Sequence, residues 1–190
     1  MKITAAVIEA PDAPFQLEEV EISEPRPDEL LVRIVAVGMC HSDLSVRSQA
    51  TPFPLPGVLG HEGAGVVVQV GAQVSDFHVG DRVVLSFDSC GTCPACQAGK
   101  VVYCQHWIPL NLLGGPPLDG TRRSCAPAMG CMNQSRSNPR QFIPLLIDLH
   151  RQGRLPFDRL IRQYAFDQIN AAAQDAAEAR TIKPVMILPA

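Results

Sequence analysis

The chain has 190 residues, 46% hydrophobic and 18% charged, enough to bury one sizeable core and a small second unit. A formal net charge of -3 without runs of Lys or Arg excludes the electrostatic footprint of a protein that binds nucleic acid or anionic lipid. No apolar stretch reaches membrane-spanning length, and Met1-Lys2-Ile3 enters a strand-like pattern with no charged-then-apolar leader, so the expectation is a cytoplasmic protein without a membrane partner.

In chain order, residues 3–9 and 15–22 are short segments rich in β-branched and aromatic side chains, separated by the turn-forming Pro11-Asp12-Ala13-Pro14, and are expected to pair as strands. Residues 29–38 form a longer hydrophobic run after the Pro25-Arg26-Pro27 break and predict a central strand. Cys40 follows its end. His41-Ser42-Asp43 then opens a short helix through Ser48, with Ser42 or Asp43 near the cap. Pro52, Pro54 and Pro56 force an extended loop that delivers the chain to Gly60-His61-Glu62-Gly63-Ala64-Gly65. Residues 65–70 turn β-rich, residues 77–85 read as a turn into another strand, and the glycines at 60, 63 and 65 imply close backbone approach. Short strands with little helix favour a compact, partly closed β-barrel, mainly β with some α, over a doubly wound sheet.

Two groups of residues carry chemistry. A thiolate at Cys40 and a neutral imidazole at His61 are both good ligands for a borderline-soft divalent ion such as zinc, and catalytic zinc sites keep one position open. Taken alone, the pair reads more readily as a small buried hydrophobe and a satisfied core histidine, and it is the neighbouring motifs that favour the metal. The second group is denser. Cys90, Cys93, Cys96 and Cys104 are separated by two, two and seven residues, with Gly91, Pro94 and Gly99 supplying tight turns. Four such thiolates can wrap one tetrahedral ion at about 2.3 Å per sulfur. Free buried cysteines and an iron–sulfur cluster are the rivals, but polar, Gly-rich sequence has no means of burying four thiols otherwise. Seven cysteines in all, four of them packed this closely, do not resemble a secreted disulfide framework. A closed site of four thiolates stabilises a lobe and does no chemistry.

These segments resemble the zinc-dependent medium-chain alcohol dehydrogenases, and most closely their aryl (benzyl) alcohol dehydrogenase branch. Gly60-His61-Glu62 with Gly65, Gly71 and Val74 fits the family's zinc signature, Gly38-Met39-Cys40-His41-Ser42-Asp43 its ligand-and-relay segment, and Cys90 to Cys104 its structural-zinc lobe. The resemblance covers residues 1–115 and resumes near Phe142. It implies a GroES-like catalytic domain over 1–115, with the structural zinc lobe at 88–106. It also implies that Cys40 and His61 hold catalytic zinc, Ser42 passes the alcohol proton and Asp43 orients His61 from behind. Glu62 would lie beside the ion, and His41 near the nicotinamide cofactor or in the proton relay. The chemistry of the residues agrees: zinc acidifies a bound alcohol, which can then release hydride while a serine hydroxyl carries the proton outward. Helix capping is the alternative role for Ser42 and Asp43, and the two are compatible.

The departure from the family is as informative. Its members insert a dinucleotide-binding domain between the barrel and a closing C-terminal segment. Here no Gly-x-Gly-x-x-Gly stands between a strand and a helix, since Gly63-Ala64-Gly65 is followed at the required position by Val68 and Gly114-Gly115 sits in Pro-rich sequence. Residues 116–141 read as a linker in its place. NAD(P) is therefore expected only from a partner. The family's third catalytic-zinc ligand has no clear counterpart; Cys125 and Cys131 are candidates, with ordinary free thiols the alternative.

Residues 142–190 are expected to return to the catalytic domain. Phe142, Ile143, Leu145, Leu146 and Leu149 recur at helical spacing, with Pro144 in the first turn and Gly153 ending the run. The resemblance implies that this helix normally packs on the cofactor domain, so its apolar face is expected to be exposed, with a homodimer as one remedy. Asp167 is placed to cap an Ala-rich helix over 168–178, and residues 183–188 to form a final strand. Three functions follow as expectations: zinc-dependent oxidation of small (aryl) alcohols or reduction of aldehydes with a partner's nicotinamide; redox-free Lewis-acid chemistry such as hydration or elimination; or a non-catalytic zinc-binding module.

Overall fold

The computed structural model describes residues 1–111, the backbone of 124–125 and 139–141, and residues 142–189. Two sheets face each other. In the first, β1 (Lys2–Ile8) pairs antiparallel with β2 (Gln16–Glu21), Lys2 opposite Glu21 and Val7 opposite Gln16, as the two N-terminal runs predict. The far edge of β1 meets the two-residue strand β3 (Gly57–Val58) that follows the proline loop. A strand this short, in a segment read as irregular, leaves no periodicity to detect.

The second sheet centres on β4 (Leu30–Gly38), the predicted central strand, which pairs antiparallel with β5 (Glu62–Val70). Beyond β5 lies β6 (Arg82–Val84). Gly65 has a steric reason: a Cβ there would collide with the Arg33 carbonyl and with Val32 across the ladder. The other side of β4 is taken by the C-terminal strand, Lys183–Ile187, which also pairs in parallel with a strand at Ile161–Ala165. The first sheet is completed by Ser124–Cys125, parallel to β3. In chain order these are β7 (Ser124–Cys125), β8 (Ile161–Ala165) and β9 (Lys183–Ile187). Among the described residues no ladder joins the two sheets, so the barrel is not closed. β8 was not foreseen: only Tyr164 of its five residues is buried, which leaves an apolar signal too thin to read.

The main core explains why the last segment returns. Ala6, Ile8 and Phe15 from the start of the chain pack with Met39, just past β4, and with Tyr164, Ile169, Ala172, Ala173 and Met186 from the end. Ala5 and Val7 point the other way, onto Val20, so residues 5–8 of β1 are buried on both faces and read as a continuous apolar run. α1 (His41–Arg47) leaves the end of β4, and the cap assignment needs correcting: Cys40 is the N-cap residue, while Asp43 sits three positions on and accepts the Cys40 N–H at 2.8 Å. α2 (Pro94–Gln97) and α3 (Trp107–Asn111) flank the cysteine lobe.

α4 (Pro139–Arg151) begins three residues before the predicted start, so Pro144 lies inside it and not in the first turn; Gly153, at φ +71°, follows its end as predicted. Phe142, Leu145 and Ile147 on α4 are 40%, 51% and 43% exposed. α5 (Ile169–Ala177) follows a 3-10 turn at Phe166–Gln168 that contains Asp167, and the Gln168 side chain accepts the Ala165 N–H at 3.1 Å. No helix among the described residues is long and apolar enough to cross a membrane. Most of the linker expected at 116–141 lies outside the described residues, as does Cys131; of Cys125 only the backbone is described.

Candidate metal centres

Antiparallel pairing of β4 with β5 sets Gly38 opposite Glu62, so the end of one strand and the start of the next meet at the same level. Cys40 lies just beyond the first and His61 just before the second. One ligand atom from each of Cys40, His61 and Glu62 lies within 4.8 Å of the other two. His61 and Asp43 are 4% and 3% exposed.

The Asp43 carboxylate organises this cluster. One oxygen faces His61 Nδ1 at 3.1 Å, and the other accepts the Cys40 backbone N–H at 2.8 Å. A buried carboxylate against Nδ1 holds the ring proton there and leaves the Nε2 lone pair facing outward, where Ser42 Oγ lies at 3.4 Å. Burial opposes charge on both donors. Nevertheless the Cys40 thiol is held below its ordinary value by hydrogen bonding from Ser42 and by the His61 ring. Burial likewise pulls His61 down, but Asp43 and Cys40 hold it above its usual value. A polarised thiol, an oriented imidazole and a carboxylate form a mixed S, N, O donor set that suits zinc.

The second cluster is built from turns. Gly91 and Gly99, at φ +69° and +72°, reverse the chain on either side of α2, and Pro94 starts that helix where its missing N–H costs nothing. The sulfurs of Cys90, Cys93, Cys96 and Cys104 all lie within 4.8 Å of one another, and Cys90 and Cys96 are 3.9 Å apart. Backbone N–H groups point at sulfur: Cys93 donates to Cys90 Sγ and Cys90 to Cys104 Sγ, both at 3.3 Å. A hydrogen bond from His106 leads in drawing Cys90 down to about 5, while burial and the neighbouring sulfurs push Cys96 up to about 12. Four sulfurs this close do not all shed their protons unless a cation sits between them, so the donor set fits a metal.

The remaining candidates fall elsewhere. His41 is exposed and shares a surface groove with Asp12, Ser45 and Arg47, outside the Cys40 cluster. Two residues that the sequence reading passed over matter to these sites. Asn111, fully buried, accepts the Asp88 N–H at 2.8 Å and donates to the carbonyls of Asp88 at 3.0 Å and Trp107 at 2.9 Å, clipping the exit of the cysteine lobe to its entrance. Lys183, at the start of β9, pairs with Glu62. The available signals were slight: an asparagine in an apolar helix, and one cation opening an apolar strand.

Residues 26–144 match the family described as Alcohol dehydrogenase GroES-like domain. Over 116 residues the chain is 50% identical to geraniol dehydrogenase of Castellaniella defragrans, an alignment covering 61% of this chain and 31% of that protein. Two solved structures superimpose on the whole chain and are themselves fully covered: an alcohol dehydrogenase zinc-binding domain protein from Burkholderia ambifaria, with TM-score 0.85 and 24% identity, and benzyl alcohol dehydrogenase from Acinetobacter calcoaceticus, with TM-score 0.84 and 22% identity. At these identities the likeness is one of fold. The chain spans about a third of the length of the curated relatives it matches.

Proposed function

The chain belongs to the alcohol dehydrogenase GroES-like family, and on that footing we propose that it is a zinc-dependent oxidoreductase module that acts on a small alcohol or aldehyde in the cytoplasm. In this reading residues 1–115 are the catalytic domain, 116–141 a linker standing where family members carry a nucleotide-binding domain, and 142–190 the returning segment. Nicotinamide, which supplies the hydride acceptor, then comes from another chain. The exposed face of α4, with Phe142, Leu145 and Ile147, is where a second copy would pack.

The observation that carries the reading is the Asp43 bridge, because a single buried carboxylate holds both the Cys40 backbone and the His61 ring, whose ligand atoms lie within 4.8 Å of each other. Cys40 and His61 would hold the catalytic ion, with Glu62 as a third donor in the place for which Cys125 and Cys131 were candidates. Cys90, Cys93, Cys96 and Cys104 would hold the structural ion. Zinc at the first site would supply Lewis acidity toward a hydroxyl or carbonyl oxygen. The chain's own part is the proton. Ser42 Oγ, within 3.4 Å of His61 Nε2, accepts the proton of the substrate hydroxyl and passes it outward, while Asp43 keeps His61 from turning.

Zinc counting tests this. Two ions per chain are expected, falling to one in Cys40→Ala, with oxidation of geraniol or benzyl alcohol in the presence of NAD(P) and a separate nicotinamide-binding chain lost in the same variant. One ion per chain, unchanged by Cys40→Ala, would overturn the proposal and leave a zinc-stabilised module. Turnover that survives Cys40→Ala would remove the dehydrogenase assignment.

A further inference from the structure

The space between the two unjoined sheets is not filled by side chains: a cavity of about 220 Å³ lies there. Ala6 and Phe15 wall it from the start of the chain, Met39 from the end of β4 and Met186 from β9, and all four are buried. Of the side chains around it only Thr4 and Asp43 are polar. Thr4 is exposed, and the two Asp43 oxygens are already engaged by the Cys40 N–H and by His61. Among the described residues no buried side-chain nitrogen or oxygen lacks a partner, so no side chain in the wall calls for water, which needs two to four polar partners to settle. The cavity also has an entrance. Thr4, Phe166 and Leu188 line both the cavity and an outer groove that runs over Leu17 and Ile187, themselves 41% and 39% exposed.

Packed interiors leave few voids larger than a water molecule, and an apolar cavity of about 150 Å³ stays dry and takes up benzene. This one is larger, open to the surface, and edged by the rings of Phe15 and Phe166 and by two methionines, whose unbranched side chains adapt in shape and whose sulfurs favour aromatic neighbours. We propose that the cavity is a binding site for one neutral apolar molecule of alkylbenzene size. A charged ligand is excluded, because no unpaired counter-charge faces the space to repay its lost hydration. The site is separate from the candidate metal centre: Cys40, His61 and Glu62 do not line it, and Asp43 alone is common to the cavity wall and that cluster. The proposal therefore does not rest on the metal reading.

The test uses the full chain with zinc in its four-cysteine lobe and isotope-labelled methionine methyl groups, titrated with toluene and followed by methyl NMR. The Met39 and Met186 signals are expected to shift together and to saturate, while that of Met1, at the exposed start of the chain, stays still. Benzoate, of similar shape but charged, should move neither signal. Ala6→Leu puts a branched side chain into the space and is expected to weaken toluene binding about tenfold or more. If that variant folds poorly, the contrast between toluene and benzoate in the wild-type chain still decides. Cys40→Ala should bind toluene as wild type does. Shifts that fail to saturate, shifts equal at Met1, or an unchanged affinity in Ala6→Leu overturn the interior site and leave the metal reading standing. Loss of toluene binding in Cys40→Ala also overturns it, by placing the molecule at the metal centre.

Discussion

Asp43→Asn separates orientation from packing more cleanly than any other substitution in this chain. The native carboxylate accepts from the Cys40 N–H at 2.8 Å and faces His61 Nδ1 at 3.1 Å, with both Asp43 and His61 buried. Asparagine has one acceptor oxygen and one donor nitrogen. If the oxygen keeps the Cys40 N–H, the amide nitrogen faces Nδ1, and the ring proton must move to Nε2, the atom that should face an ion. Fold stability then falls only modestly, because most of the buried polar groups keep partners. Asp43→Ala leaves two donors unpartnered, the part-buried Cys40 N–H and the buried His61 ring, at about 1–3 kcal/mol each, so a loss of about 2–6 kcal/mol is expected, large against a typical domain's stability of about 5–15 kcal/mol. The two variants should therefore part in urea denaturation yet agree in metal titration, each binding the second cobalt ion about 10- to 100-fold more weakly than wild type. An Asp43→Asn protein that binds the second ion as tightly as wild type would refute the argument, since the tautomer would then be set by something other than Asp43.

Two further outcomes follow from other parts of the fold. Asn111→Ala strips partners from the Asp88 N–H and from the carbonyls of Asp88 and Trp107, so a loss of about 2–4 kcal/mol is expected, with faster release of lobe zinc to a chromogenic chelator. Unchanged release would mean that the lobe's turns hold it without the clip. Asp175 accepts a hydrogen bond from Tyr164 and pairs with Arg180 and Arg162, which together hold its carboxyl below the usual range. A carboxyl depressed in the fold contributes stability that is in full above its unfolded value, near about 3.9, and is lost as pH falls through the folded one. Acid titration should thus show Asp175→Asn less stable than wild type at neutral pH, with the gap closing below about pH 4. A gap that stays constant into acid would assign the effect to packing.

Local spacing carried most of what could be read from the chain alone. The interval from Cys90 to Cys104 spans a few turns, and glycine and proline at fixed offsets define how those turns close, so the cage is written in adjacent residues. The strands of the sheets were legible for a similar reason: β1 is buried over residues 5–8, and β4 and β9 are largely apolar and mostly buried or partly buried, so each shows as a mainly apolar run. Strands β3 and β8 were not legible, because one has two residues and the other buries a single side chain.

What tertiary structure alone decided is which distant residues share a point in space. Asp43 and His61 are 18 positions apart, and only the β4–β5 register brings them within hydrogen-bonding reach. Lys183 lies 144 positions from Met39, and it arrives beside Glu62 only because β9 pairs with the end of β4 and Gly38 leaves the gap between them open. A periodic apolar pattern specifies which face of a strand is buried, but a single charged or polar residue repeats nothing. Its partner is set by the pairing of strands, and that pairing is a property of the folded chain.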